Sequence, residues 1–278
     1  MKRSPVITLL LLFLVLVSLP GRAWAEAVLH CAACGGVIGP GRYLVDQWGD
    51  CYHPEHANIP RCVYCGRGIS PYTTHGGVHY PDGRDVCNVC NATAVLDTAT
   101  ATELEKAVES RLSATLGLEF HTDAIPVRLV DQATLNRLFG EQDLPQDGHI
   151  NGLTTKRWVK DGNGKVIARH VSVAILYALP RVVFERTIAH ELMHVWMFLD
   201  GEPTHTPPLE EGVCNLVSYD LLGTQHTKLA EILRENMWKS TSVDYGEGMR
   251  RAERYEQAYG FPGLVTMLRK QGDYPAGY

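Results

Sequence analysis

Three Cys-x2-Cys pairs crowd the N-terminal third of the chain, Cys31 with Cys34, Cys62 with Cys65 and Cys87 with Cys90, and His53-x2-His56 falls between the first two. A pair at this spacing is a short knuckle whose turn aims two side chains at one ion, and two knuckles roughly 15–20 residues apart close a tetrahedral zinc site. Their order assigns Cys31, Cys34, His53 and His56 to one structural zinc and Cys62, Cys65, Cys87 and Cys90 to a second. Both sites are full, so neither keeps an open position for chemistry. Two alternatives stay open: Cys51 in place of His53 as a ligand, and a disulfide-bonded module, which an exported chain with eight cysteines would also suit.

The compartment is read from the first residues. Lys2 and Arg3 precede an uncharged stretch from Val6 to Leu19, and Ala23-Trp24-Ala25 offers small residues at a cleavage site, so residues 1–25 read as a secretory signal peptide. A membrane span needs about 20 apolar residues; this stretch is shorter and meets Pro20-Gly21, which makes an uncleaved anchor the lesser alternative. The 278 residues are 45% hydrophobic with a net charge of −5, the make-up of a folded chain of one or two domains without a basic field. Nucleic acid is therefore excluded as an expected partner, and a protein or peptide is favoured.

Residues 26–92 are taken as the two-zinc module. Over 93–118 the pattern becomes helical: Thr102-x2-Glu105 has the form of a capping box, Leu104, Val108, Leu112 and Leu116 form one apolar stripe, and Gly117 is a stop. This helix is either a connector or the first core helix of the larger part. From Glu119 short strands follow. Pro126 to Val130 is β-prone, and Trp158-Val159 and Val166-Ile167 flank the turn Asp161-Gly162-Asn163-Gly164. The strand from Val171 to Leu176 is expected to be an edge along which an extended peptide lies. After Pro180 the chain reads as helical, giving an α+β fold with a small sheet and a helical active-site region over 119–278.

His190-Glu191-Leu192-Met193-His194 is the motif that carries chemistry. Four residues are a little over one helical turn, so both imidazoles leave one face at a separation that fits one zinc, with Glu191 beside the water on that ion. Pro180 suits the start of this helix, Ile188, Leu192, Val195 and Leu199 give it a buried stripe, and Gly201 ends it. A catalytic zinc needs a third protein ligand and an open corner. Thr206-Pro207-Pro208 opens a second helix, capped by Thr206, on which Glu210 and Glu211 are the candidates; Asn215 lies one turn further and could orient a ligand. Cys214 reads as a small buried side chain rather than a nucleophile, because no base is positioned for it.

Several resemblances follow from these strings. The layout of HELMH and a downstream acidic helix resembles the gluzincin metallopeptidases; a Glu directly before a Gly completes their aminopeptidase-like sites, which points to Glu211 over Glu210. Tyr245-Gly246-Glu247-Gly248 is similar to the segment that supplies the oxyanion donor there, which implies that role for Tyr245, with His205 second. The N-terminal module resembles a LIM domain around Trp48-Gly49-Asp50-Cys51-Tyr52-His53-Pro54-Glu55-His56, but with His56 in place of a cysteine and a longer link to Cys62. Together with Leu176 to Arg181, Glu210 to Cys214, Tyr259-Gly260 and Gly272 to Pro275, the whole order resembles the plant organ-size-control peptidases of the "DA-one" family. That resemblance implies a zinc endopeptidase with one catalytic and two structural zinc ions, Glu191 as general base, and a LIM-like module that binds partner or substrate or restrains the site. The ubiquitin-dependent activation and substrates of those peptidases do not carry over to an exported chain. Two other functions compete: a non-catalytic zinc-stapled adaptor on a degenerate peptidase fold, and a zinc hydrolase acting on cell-wall peptides.

Overall fold

The computed structural model describes residues 28–120, 125, 127–140, 150–200 and 204–278. The proposed leader at 1–25, Pro126 and Gly201 lie outside the described residues.

Two short ribbons build the N-terminal part. β1 (Leu44–Val45) pairs antiparallel with β2 (Cys51–Tyr52), and β3 (Gly77–His79) pairs with β4 (Asp85–Cys87), which leads straight into the turn α1 (Asn88–Asn91). The two halves differ in what they pack against. Cys31, Ala32, Ile38 and Tyr52 form a small cluster of their own. Cys62, Tyr64, Cys65, Val86, Cys87 and Cys90 belong instead to the main core of the protein. The seam is tied by backbone bonds: Val95 N–H donates to Leu179 O at 2.9 Å, Ala178 N–H to Val95 O at 3.1 Å and Arg181 N–H to Thr93 O at 2.9 Å. Arg84 adds a bond to Tyr177 O at 3.1 Å.

α2 (Thr98–Leu116) buries Leu104, Val108 and Leu112 and ends at Gly117, which takes the left-handed φ of 67° that a glycine tolerates. It packs on the larger part, against the helix Arg181–Asp200 and the strand Val127–Val130. Its start departs from the capping box expected at Thr102. Asp97 is the N-cap and accepts from Thr100 N–H at 2.9 Å, while the Thr102 hydroxyl turns back onto Thr98 O. Glu105 is buried, and burial pushes its carboxyl up to about 7, so it does not serve as the reciprocal cap.

The sheet has three strands in the order β5 (Val127–Val130), β7 (Val166–Leu176), β6 (Gly152–Lys160). β6 and β7 form the expected hairpin, with the Asp161 carboxylate accepting from the Asn163 and Lys165 N–H groups and Gly164 at a φ of 81°. β5 joins the other side of β7 in parallel, Val127 opposite Val173 through Val130 opposite Leu176. The segment from Val171 to Leu176 is therefore the central strand and not an edge. From Val173 to Leu176 its backbone is paired on both sides, and a peptide cannot add there; among the described residues the sheet's edges are β5 and β6, and β6 is the one that runs beside the helix Arg181–Asp200.

The rest is helical: α3 (Gln132–Phe139) before the hairpin, then α4 (Arg181–Asp200), α5 (Pro207–Gly223), α6 (Lys228–Lys239), a π-helical turn (Val243–Glu247) and α7 (Gly248–Leu268), which breaks at Gly260. α4 is apolar nearly all round because it lies between the sheet, α2 and α5, and Phe184, Ile188, Leu192 and Met193 are fully buried. Thr206 occupies the N-cap of α5, but its hydroxyl donates to Asp273 at 3.0 Å and leaves the helix end uncapped by a side chain. α5 meets the start of α7 backbone to backbone. A Cβ on Gly212 would stand 2.3 Å from the Gly248 carbonyl carbon, so only glycine permits this approach. Replacing Gly212 by Ala forces the two segments apart and is expected to cost about 1–3 kcal/mol, read as a lower denaturant midpoint; an unchanged midpoint would show that the contact is dispensable.

Candidate metal centre

Three groups of ligand-bearing side chains converge among the described residues: Cys31, Cys34, His53 and His56; Cys62, Cys65, Cys87 and Cys90; and His190, His194 and Cys214. The first two are the sets expected from spacing. Tetrahedral zinc with Zn–S bonds of about 2.3 Å has sulfur–sulfur edges of roughly 3.8 Å and sulfur–nitrogen edges of roughly 3.6 Å. Cys65 and Cys87 sulfurs stand 3.7 Å apart, Cys34 Sγ is 3.5 Å from His53 Nδ1 and Cys31 Sγ is 3.2 Å from His56 Nδ1. These donor sets fit zinc. The second ring nitrogen of His53 faces Val37 O at 3.2 Å, which fixes its tautomer and leaves Nδ1 for an ion. Burial opposes a charge on the Cys31 thiol, yet bonds from the His53, Cys34 and Ala33 backbone, with His56, bring it down to about 6. Cys51 lies outside the cluster, its thiol 3.8 Å from Gly49 O. All eight cysteines are free, so the disulfide alternative has no support in the structure.

The third group is built by α4 and α5. His190 and His194 leave one face of α4 with their rings 4.9 Å apart, and their Nε2 atoms are 3.1 Å from each other. Glu211 Oε2 lies 3.1 Å from His190 Nε2 and 3.5 Å from His194 Nε2. A tetrahedral ion with nitrogen and oxygen ligands at about 2.0–2.1 Å has edges of roughly 3.3 Å, so the three atoms already describe one face of it. The other ring nitrogens are held from behind. His190 Nδ1 meets Asn215 Oδ1 at 3.1 Å and His194 Nδ1 meets Glu210 Oε1 at 3.0 Å. Both partners are acceptors, so each Nδ1 carries the proton and each Nε2 presents a lone pair. Two such nitrogens and a carboxylate oxygen facing one another make a donor set that could hold a cation.

Burial alone would raise Glu211, but bonds and charge from His190 and His194 hold its carboxyl far below the usual range; against burial, Cys214, Glu210 and Glu211 in turn raise His194, whose proton an ion at the two Nε2 atoms would displace. Glu210 is likewise opposed by burial and brought down to about 2 by His194 and by Lys156, whose ammonium is bonded to it. Glu210 thus stands behind His194, and Glu211 faces both Nε2 atoms. Cys214, taken from the sequence as a small buried side chain, is fully buried and also lies against His194. Burial pushes its thiol up to about 11, so it keeps its proton at neutral pH, and it does not line the open cleft.

That cleft, of about 350 Å³, is walled by the three facing residues together with Glu191, Lys156 and Tyr245. Glu191 is buried, and its Oε2 accepts from the Thr154 hydroxyl of β6 at 2.7 Å. Gly152 permits this: a Cβ there would meet Glu191 Oε1 at 2.7 Å. Tyr245 sits on the π-helical turn with its ring stacked 6.3 Å from that of His190, and Asn215 donates to Tyr245 O at 3.2 Å. Burial, followed by the Glu211 charge, keeps its phenol protonated well past the usual range. His205 points elsewhere, bonded to Leu268 O at 3.0 Å, and does not line the cleft. The sequence reading missed Thr154, Lys156 and the packing of Cys214; the two β6 residues share one face of a strand at a spacing of two, the only signal available.

A fold of mixed α and β structure with paired Cys/His clusters before a helix-borne histidine site defines a LIM-linked metal-binding chain of α+β class. The pattern of the DA1-like family, described as Protein DA1, matches residues 99–232. Protein DA1 of Arabidopsis thaliana is 26% identical over 82% of this chain and 52% of its own length, and LIM domain-containing protein HDR3 of Oryza sativa subsp. japonica is 26% identical over 82% and 57%. Protein DA1-related 1 of Arabidopsis thaliana is 24% identical over 82% and 51%. The chain is thus similar to the DA1-like family over these residues and to its curated members over most of its length. It spans about half the length of these curated relatives. No solved structure matches it.

Proposed function

We propose that this protein is a zinc-dependent endopeptidase in which His190, His194 and Glu211 hold the catalytic ion and Glu191 is the general base. The observation that carries this is the near-tetrahedral triangle of Nε2, Nε2 and Oε2 atoms opening on a cleft beside a buried, oriented carboxylate. A zinc ion held there supplies Lewis acidity toward a carbonyl oxygen and makes a water acidic enough to react near neutral pH. Glu191, held by Thr154, accepts the proton of that water and returns it to the departing amine. Tyr245 donates its phenol hydrogen to the negative charge developing on the carbonyl oxygen. The substrate lies extended along the outer edge of β6, which bears Thr154 and Lys156, and its backbone completes the ladder.

The two N-terminal clusters hold structural zinc, and the half centred on Cys31 docks another protein or the substrate. Domain boundaries follow as 26–92 for the zinc module, 93–118 for α2 and its lead-in and 119–278 for the peptidase part. Export rests on the charge pattern of residues 2–25 alone. Elemental analysis combined with cleavage of an unfolded protein such as reduced casein tests the proposal: three zinc ions per chain, cleavage lost on chelation, and cleavage restored by zinc are expected. A fully zinc-loaded protein that cuts nothing would leave the adaptor reading instead.

A further inference from the structure

We infer that Arg186 turns the cavity behind the metal centre into a carboxylate-recognising pocket, which accepts either an acidic side chain or the C-terminal carboxylate of a bound peptide. The inference rests on the peptidase reading for the identity of its ligand and on the cavity for its chemistry. Adjoining the cleft, a space of about 470 Å³ opens between α4, α5, α6 and the zinc module, with Val63 and Tyr64 of the module forming one wall. His190, Glu191 and Tyr245 line both this space and the cleft, so a group seated in it is adjacent to the reacting atoms.

Arg186 lies one helical turn before His190 on the same face of α4. It is the one permanent cation lining the cavity, and among the described residues its guanidinium has neither an ion pair nor a hydrogen bond. Burial lowers its pKa, and no carboxylate offsets that effect. The nearby acids are engaged elsewhere. Glu185 is held by Arg111 at 3.2 Å and Arg181 at 2.9 Å, and Glu191 by Thr154 at 2.7 Å. The side chain is half-buried with its guanidinium unpaired at the cavity wall, and its planar fork matches a carboxylate bidentately. The polar lining includes the neutral Asn151, Asn215, Asn236 and Ser240, which can complete the shell of an anion, while the one carboxylate in the lining, Glu191, is held by Thr154.

The test uses zinc-loaded full-length protein carrying Glu191→Gln, so that bound peptides survive, and calorimetric titration with two pairs of N-acetylated alanine-rich pentapeptides. One pair has Glu or Gln at its centre with amidated C-termini; the other has neutral side chains with a free or amidated C-terminus. In at least one pair the acid member is expected to bind about tenfold tighter or more, and the pair that responds identifies side chain or terminus as the ligand. Adding Arg186→Gln is expected to erase the preference while the melting temperature stays at or above that of the parent, and Arg186→Lys to retain part of it. Equal binding within both pairs, or a preference that survives Arg186→Gln, overturns the pocket. Casein cleavage by the unmutated protein is followed in parallel: cleavage without any acid preference rejects the pocket alone, and a preference without cleavage rejects the peptidase reading alone.

Discussion

Replacing Glu191 by Gln is expected to lower kcat by about 10²–10⁴-fold while leaving the zinc content of the protein unchanged. The amide is the same size, and its carbonyl oxygen can still accept from the Thr154 hydroxyl that meets Oε2 at 2.7 Å, so the side chain keeps its place. What it loses is the ability to take a proton. Zinc is expected to stay because Glu191 is not among the three proposed ligands; those are His190, His194 and Glu211, whose atoms face one another. Elemental analysis and steady-state cleavage of one peptide, run on the same preparation, read both halves of the result. Turnover within a few-fold of the parent would place the base on another residue, and loss of one zinc per chain would make Glu191 a ligand.

The second large effect concerns stability. Cys62→Ser is expected to remove one zinc and to lower Tm by about 10 °C or more, whereas Cys34→Ser removes one zinc with a shift of only a few degrees in the main transition. A structural zinc site contributes on the order of 10 kcal/mol to folding, and each kcal/mol moves Tm by about 2–4 °C in a chain of this size. Where that energy is felt depends on packing. Cys62, Cys65, Cys87 and Cys90 are buried in the same apolar cluster as Val95, Leu104 and Leu179, so loosening them opens the common core. Cys34 is exposed, and its neighbours Cys31, Ala32, Ile38 and Tyr52 form a separate small cluster. Scanning calorimetry with zinc analysis checks both variants; equal shifts would mean that the two halves of the module are energetically continuous.

Much of the site was legible because helical spacing is rigid. His190 and His194 must share a face, and the Cys-x2-Cys knuckles must aim together, whatever surrounds them. The choice between Glu210 and Glu211 was not legible from spacing. Adjacent helix residues point about 100° apart, and which one faces the histidines is set by the crossing of α5 over α4 and by Lys156 reaching across from β6 to Glu210. The peptide edge was misplaced for a related reason: the parallel partner of β7 is β5, which precedes the hairpin in the chain, and the sequence of Val171 to Leu176 carries no mark of it. At α2 the helix starts earlier than the Thr102 string implies: Asp97 caps it through Thr100 N–H, and the turn so gained buries Ala101.

Among the described residues, one flank of β6 pairs with no other strand. A strand with unpaired amides and carbonyls invites a second copy of itself as readily as a ligand, and proteins guard such flanks with charge. Lys156, Arg157 and Lys160 are spread along this strand in a chain that is acidic overall. Like charges would meet if two molecules zipped together along it, so the groove stays available to a neutral or acidic guest while self-association into fibres is discouraged.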